Sequence, residues 1–288
     1  MGTQYRPSSK RWLKTTLLCA TLSSLFACSN IPKLPPLAEN QQYRHNEVIW
    51  HDLITPNLKK SADFYQQLFG WQFEDTADQY NLIRYQGQLI GGAAEVVTEE
   101  RASHWLPLIS VKDVDATIDP ISQQGGKALI PSFKIPGRGT VGVAQDNQGA
   151  VFGLIATNAG DPVKPAINNN SWLWHELWSS NISTAENFYQ QVFQLSVEEK
   201  NIAGIDYHYF ANSHKTPELG LINKPSQKMP DTLASYIKVK DVRATAERAV
   251  ALGGSILMTA NDKLRGGNVA IIKDPNGAGF IIQEMNIE

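Results

Sequence analysis

The stretch WHDLITPNLKKSADFYQQLFG, residues 50–70, returns as WHELWSSNISTAENFYQQVFQ, residues 174–194. The histidines His51 and His175 and the phenylalanines Phe64 and Phe188 are both 124 positions apart. A constant offset over a block this long marks a duplicated structural unit, which must be read before anything else.

The duplication continues. ISVKDVDATIDPISQQGGKALI (109–130) returns as IKVKDVRATAERAVALGGSILM (237–258), and VGVAQDNQGAVFGLI (141–155) as VAIIKDPNGAGFIIQ (269–283), now 128 apart. The extra residues fall in the polar segments after Phe73 and Val197, as expected of surface loops whose flanks keep their register.

Each copy opens on a short strand, EVIWHDLI or SWLWHELW, followed by turn-forming residues and a helix. Ala62, Tyr65, Leu68 and Phe69 in the first helix, and Ala185, Phe188, Tyr189, Val192 and Phe193 in the second, form apolar stripes that fit packing on a sheet. Ser183 with Glu186 predicts a capping box. Two strands follow, then a strand ending in VKDV, a helix stopped at Gly125-Gly126 or Gly253-Gly254, and three more strands. Asp146-Asn147-Gln148-Gly149 and Asp274-Pro275-Asn276-Gly277 sit between runs of β-formers and predict hairpin turns. Pro120 is out of place in the helix expected around it.

This pattern predicts an α+β fold of two tandem modules, residues 47–158 and 171–288, joined by the linker 159–170. Each module is a doubled βαβββ unit. A curved sheet with helices on one face leaves its other face open, so the second module is expected to complete an enclosure within one pseudo-twofold monomer. WHELWSSNISTAENFYQQVF, the VKDV–helix–GG block and IIKDPNGAGFIIQ resemble the vicinal oxygen chelate superfamily, which includes glyoxalases, bleomycin-resistance proteins and extradiol dioxygenases. IPGRGTVGVAQDNQGAVFGLI is similar to its tandem glyoxalase-like members. One scaffold there hosts lyases, isomerases, dioxygenases and binding proteins, so the resemblance implies a fold more sharply than an activity.

In the metal-dependent members a first-strand His or Gln and a last-strand Glu hold the ion. The resemblance places His51 and His175 at the first-strand positions, and these are the candidate metal ligands if any metal binds. The last-strand positions are Gly153 and Ile281, which cannot ligate, so no cofactor is expected. His51, His175 and Gln283 are instead expected as polar contacts for a small organic ligand, with histidine acid–base chemistry for any catalysis. His208 suits either a cleft or the surface, and the tryptophans Trp50, Trp71, Trp105, Trp172, Trp174 and Trp178 suit either a flat ligand or the core.

With 26 Lys+Arg against 28 Asp+Glu and no basic run in the folded part, nucleic acid is not an expected partner. Arg6, Lys10, Arg11 and Lys14 precede the short apolar run TTLLCATLSSLFA and the box LFAC. This resembles a lipoprotein signal peptide, residues 1–27, with Cys28 as the lipid-bearing first residue of the mature chain. Loss of Cys19 and acylation of Cys28 leave no thiol for a disulfide. The proline-rich segment 28–46 is expected to be an extended tether, and Ser29 implies the outer membrane, facing the periplasm. The expectation is an envelope-anchored, metal-free binder of a small molecule; a metal-dependent lyase or dioxygenase and a non-catalytic envelope protein are the alternatives.

Overall fold

The computed structural model describes residues 33–76, 80–97, 103–202, 205–212, 215–260 and 267–285; Cys28 lies outside them. Module 1 runs β1 (Val48–Thr55), α1 (Leu58–Phe69), β2 (Gln72–Asp75), β3 (Tyr80–Tyr85), β4 (Gln88–Glu95), then β5 (His104–Ser110), α2 (Val114–Gln123), β6 (Lys127–Ile135), β7 (Gly139–Gln145) and β8 (Val151–Thr157). Module 2 repeats the series: β9 (Trp172–Ser179), α3 (Ile182–Phe193), β10 (Ser196–Ile202), β11 (Ile205–Ala211), β12 (Pro217–Asn223), β13 (Thr232–Val239), α4 (Val242–Ala251), β14 (Ser255–Met258), β15 (Val269–Lys273) and β16 (Gly279–Glu284). Each module is one eight-stranded sheet, ordered β2-β3-β4-β1-β5-β8-β7-β6 and β10-β11-β12-β9-β13-β16-β15-β14. The paired units meet at the antiparallel centre, β1 on β5 and β9 on β13, and each central strand has a parallel neighbour from its own unit.

The repeated motifs have local causes. The aspartate of each VKDV is a helix N-cap: Asp113 accepts from Ala116 N and Asp241 from Ala244 N. Gly125 and Gly253 then turn left-handed, at φ 85° and 91°, where a side chain is disfavoured. The hairpin aspartates accept from the backbone of their own turns, Asp146 from the N–H of residues 148, 149 and 150, and Asp274 from those of 276 and 278. Burial raises the pKa of both carboxyls, and these backbone bonds oppose the rise. The expected Ser183 capping box is corrected: α3 is capped two residues earlier by Asn181, which accepts from Thr184 N, as Asn57 does for α1 from Lys60 N. Helix α2 runs through Pro120 and ends on a bond from Gln124 N to the Pro120 carbonyl.

The modules meet through their helix-bearing faces. Phe64, Tyr65 and Phe69 of α1 share one core with Val242 and Ala246 of α4 and with Phe280 of β16. Phe188, Tyr189 and Phe193 of α3 share another with Val114 and Ile121 of α2 and with Phe152 of β8. This explains the repeated FYQQ, whose Phe and Tyr are buried between the two sheets. It also corrects the expected enclosure, because module 2 covers the helices of module 1 and not its open face. Each helix-free face has its own cluster: Trp50, Tyr80, Leu106, Leu108, Val141 and Ile155 in module 1, and Trp178, Ala234, Tyr236, Val269, Ile271 and Ile281 in module 2.

The segment expected as an extended tether packs on module 1 from Leu34 onward. Leu34 and Leu37 are buried in the helix-free cluster of module 1, and Gln41 N and Arg44 N bond to the Ala159 carbonyl and to Asp161 Oδ2. Leucines spaced for burial outweigh the extended bias of the intervening prolines.

Candidate functional site

Side chains alternate across a strand, so the WHD and WHE triplets divide between two faces. His51 and Leu53 of β1, with Leu177 of β9, face the helices; Trp50 and Asp52, and their counterparts Trp174 and Glu176, face the open side. The expected contacts are therefore divided: the histidines lie on the helix-bearing face and Gln283, sharing its face with Ile281, lies on the other.

His51 and His175 do meet. Their Nε2 atoms are 2.8 Å apart, and His51 also stacks on Trp172 at 3.9 Å between centroids. Equivalent residues in contact straddle the pseudo-twofold relation between modules. A bond between two ring nitrogens needs one N–H and one lone pair, so the pair is held with both rings neutral. Burial lowers the pKa of both, that of His175 to about 3, with His175 adding to the effect on His51 and Lys164 and Arg44 adding to that on His175. A crevice of about 100 Å³ is lined by His51 and His175 themselves, with Arg44, Glu47, Lys164 and Glu218. That is below the roughly 300 Å³ at which small-molecule sites begin. Its charges pair within it: Arg44 with Glu47 at 2.5 Å, and Lys164 with Glu218 at 3.2 Å.

The open faces carry the other polar set. In module 1, Asp52 Oδ1 accepts from Tyr80 Oη at 2.7 Å and Trp50 Nε1 at 2.9 Å. Arg138, in the β6–β7 turn and 3% exposed, donates from Nη1 to Tyr80 Oη at 2.7 Å. Strands β3 and β7 are five places apart in the sheet, about 24 Å if it were flat. The Arg138–Tyr80 bond therefore requires the sheet to curl, making the open face a cup. Desolvation raises the pKa of Asp52 against the Arg138 charge and the Tyr80 and Trp50 hydrogen bonds; that of Tyr80 rises as well, by burial first and then by Asp52.

Module 2 repeats the tryptophan and the carboxylate 124 residues on. Glu176, fully buried, accepts from Tyr207 Oη at 2.7 Å and from Tyr236 Oη; Trp174 Nε1 donates to Tyr207 Oη at 2.9 Å. Each carboxylate lies opposite a glycine on the neighbouring parallel strand, Asp52 opposite Gly92 and Glu176 opposite Gly220. A Cβ on either glycine would stand 1.8 Å from the tyrosine hydroxyl. The glycines therefore make room for the tyrosine–carboxylate bonds.

The sequence reading passed over Asp52 and Glu176 because the histidine beside each carried the family likeness. The available signal was an acid conserved between the copies at a position whose strand alternation opposes the histidine. Of the other candidates, His208 Nδ1 meets Glu186 of α3 at 2.9 Å, Trp71, Trp105 and Trp172 pack in the inter-module core, and Trp50, Trp174 and Trp178 line the open faces.

The metal that the resemblance implies does not suit these donors. Module 1 offers one carboxylate with a guanidinium bridged to it by a tyrosine, and the last-strand places in both cups are apolar, Gly153 against Leu108 and Ile281 in its cluster. Among the described residues no three His, Cys, Asp or Glu side chains gather as a metal-binding group.

The sequence profile described as "Glyoxalase/Bleomycin resistance protein/Dioxygenase superfamily" matches residues 47–154 and 173–282. CFP32 of Mycobacterium tuberculosis, named as a candidate glyoxylase, is 27% identical over 254 residues, 85% of this chain and 97% of its own. The anthracycline biosynthesis protein DauV of Streptomyces sp. strain C5 is 28% identical over 256 residues, 82% of this chain and 92% of its own. The Mn(II)-bound glyoxalase of Novosphingobium aromaticivorans has the same fold, with a TM-score of 0.56, 15% identity, and 84% of this chain and 82% of its own covered. So does the 2,3-dioxygenase LapB of Pseudomonas sp. KL28, at 0.54 and 13%, covering 86% and 94%.

Proposed function

Since the chain belongs to the glyoxalase, bleomycin resistance protein and dioxygenase superfamily, we propose that it binds a small organic molecule in its cups, without a metal, as a lipid-anchored envelope protein. One observation carries the binding reading: both modules keep a carboxylate on the cup floor, held by tyrosine hydroxyls and ringed by tryptophan and aliphatic side chains. Apolar walls with a few placed polar groups are what small-molecule sites require. Asp52 with its raised pKa, oriented by the Tyr80 hydroxyl, is suited to take a proton, so any catalysis in module 1 rests on it and not on the histidines.

A thermal-shift screen of metabolites and divalent metals on the full chain tests this, because a ligand of the folded state raises its melting temperature. We expect a stabilising organic ligand whose effect falls at least tenfold in apparent affinity in Asp52→Asn or Glu176→Gln. Gly92→Ala and Gly220→Ala should act in the same direction by pushing the tyrosine off its carboxylate. Stoichiometric metal in the purified protein, lost on His51→Ala or His175→Ala, would favour the metal-dependent lyase or dioxygenase. A screen without hits would favour a structural role.

The anchoring reading rests on LFAC around Cys28. Metabolic lipid labelling should mark the wild type and not Cys28→Ala, which should leave the membrane fraction; a variant still bound there would mean an uncleaved signal anchor.

A further inference from the structure

Arg138 is buried with a donor to spare. Nη1 bonds to Tyr80 Oη and Nε to the Pro35 carbonyl at 3.3 Å, while Nη2 is buried without a partner. Its guanidinium lies 5.3 Å from the Trp50 ring centre and 5.1 Å from that of Tyr80, inside the module 1 cup. A buried N–H without an acceptor is destabilising, so a ligand bringing one gains what the free protein forgoes.

We propose that the module 1 cup takes a neutral, apolar carbonyl compound with Arg138 as its recognition donor, and that the segment Leu34–Leu37 is a built-in competitor for that place. The proposal rests on the reading of the cups as ligand sites. Two features give the ligand class. The Arg138 charge is already answered by Asp52 through the shared Tyr80 hydroxyl, so a further anion would add an uncompensated buried charge, whereas a carbonyl oxygen adds none. The segment itself supplies such an oxygen from Pro35 and fills the apolar wall with Leu34 and Leu37, which are 3% and 6% exposed.

The segment is built to release. Pro35 and Pro36 have no N–H, so it cannot join the sheet as a strand, and one backbone bond, Leu34 N to the Pro136 carbonyl at 3.0 Å, ties it to the β6–β7 turn. Gly137 in that turn, at φ 86°, leaves room for the Leu34 carbonyl, which would lie 2.2 Å from a Cβ there. The chain is next held at Asn40 and Gln41, by bonds to the Asp161 and Ala159 carbonyls. The corresponding cluster of module 2 contains only that module's own residues.

The test uses the full-length chain and three probes of similar shape: acetophenone with a carbonyl, benzoate with a charge and ethylbenzene with neither. Their dissociation constants are measured by ligand-detected NMR for the wild type and the Leu34→Ser/Leu37→Ser double variant. We expect acetophenone to bind the double variant at least tenfold more tightly than the wild type, and at least tenfold more tightly than ethylbenzene or benzoate. Adding Arg138→Met should remove the gain; Arg138→Lys, which keeps the charge but loses the planar fork, should remove most of it and controls for misfolding through its melting temperature. An unchanged acetophenone affinity on loosening the segment, a preference for benzoate, or indifference to both Arg138 variants would overturn the proposal. Binding that answers only to Glu176→Gln would overturn it and leave the broader reading standing; no binding of any small molecule would remove both.

Discussion

At the scale of single residues, the His51–His175 pair sets a pH dependence. Both rings have folded-state pKa values below the ordinary histidine value near 6.5. The unfolded chain therefore takes up protons first as pH falls, and the stability held above about pH 6.5 declines below it. Each ring contributes at most about 1.4 kcal/mol per pH unit. Asp52, Asp146 and Asp274, with raised pKa values, give the opposite sign at lower pH, where the folded form takes up protons first. The histidine contribution below about pH 6.5 is therefore read as the difference between the wild type and a variant without the pair, which keeps the same carboxyls. Urea unfolding in that range should show the wild type losing stability more steeply than a His51→Phe/His175→Phe variant; equal slopes would mean that the pair is not neutral. The histidines were legible in the sequence as equivalents, but their face was not. The alternation that sends His51 to the helices and Asp52 to the cup becomes decisive only once the sheet's two sides are known.

Among the elements, the strands and helices were legible almost throughout, because duplication lets each copy check the other: the VKDV aspartates are caps, the paired glycines are stops and the DPNG and DNQG turns are hairpins. The capping box was misread because Ser183 and Glu186 fit the motif while Asn181, two residues earlier, makes the bond. The docking of Leu34–Leu37 was illegible, since short proline-rich segments carry no periodicity to reveal a buried face. The same comparison of copies exposes one unfavourable element end. Helix α1 closes on Gly70 at φ 77°, and α3 closes on Gln194 at φ 53° with the equivalent bond to the Gln190 carbonyl. A left-handed residue with a side chain costs about 1 kcal/mol relative to glycine. Gln194→Gly should therefore raise the melting temperature by about 2–4 °C, and calorimetry showing no rise or a fall would mean that the glutamine side chain contributes more than its backbone costs.

For the whole molecule, the question is whether a module is a folding unit. The repeat suggests two domains, each large enough to stand alone. The packing argues otherwise, because the two cores between the sheets are shared, and each unites a β1-type unit of one module with a β5-type unit of the other. Polar ties reinforce the crossing: Ser61 Oγ of α1 donates to Asp274 Oδ2 at 2.9 Å, Asn276 Nδ2 donates to Ser61 Oγ at 2.8 Å, and Gln148 Nε2 donates to Ser179 Oγ at 2.9 Å. Splitting the chain in the linker 159–170 would expose Phe64, Phe69, Phe188 and Phe193 of the helices to water. A fully buried aromatic side chain contributes about 1.5–3 kcal/mol, so the two exposed on each half remove about 3–6 kcal/mol, a large share of the roughly 5–15 kcal/mol by which a domain is stable. Residues 33–158 and 159–288 made separately should each lack a cooperative thermal transition, and made together should associate one to one and recover it. A separate fragment that melts cooperatively as a monomer would show instead that one sheet with its own two helices suffices, and that the shared cores follow from joining two domains already folded.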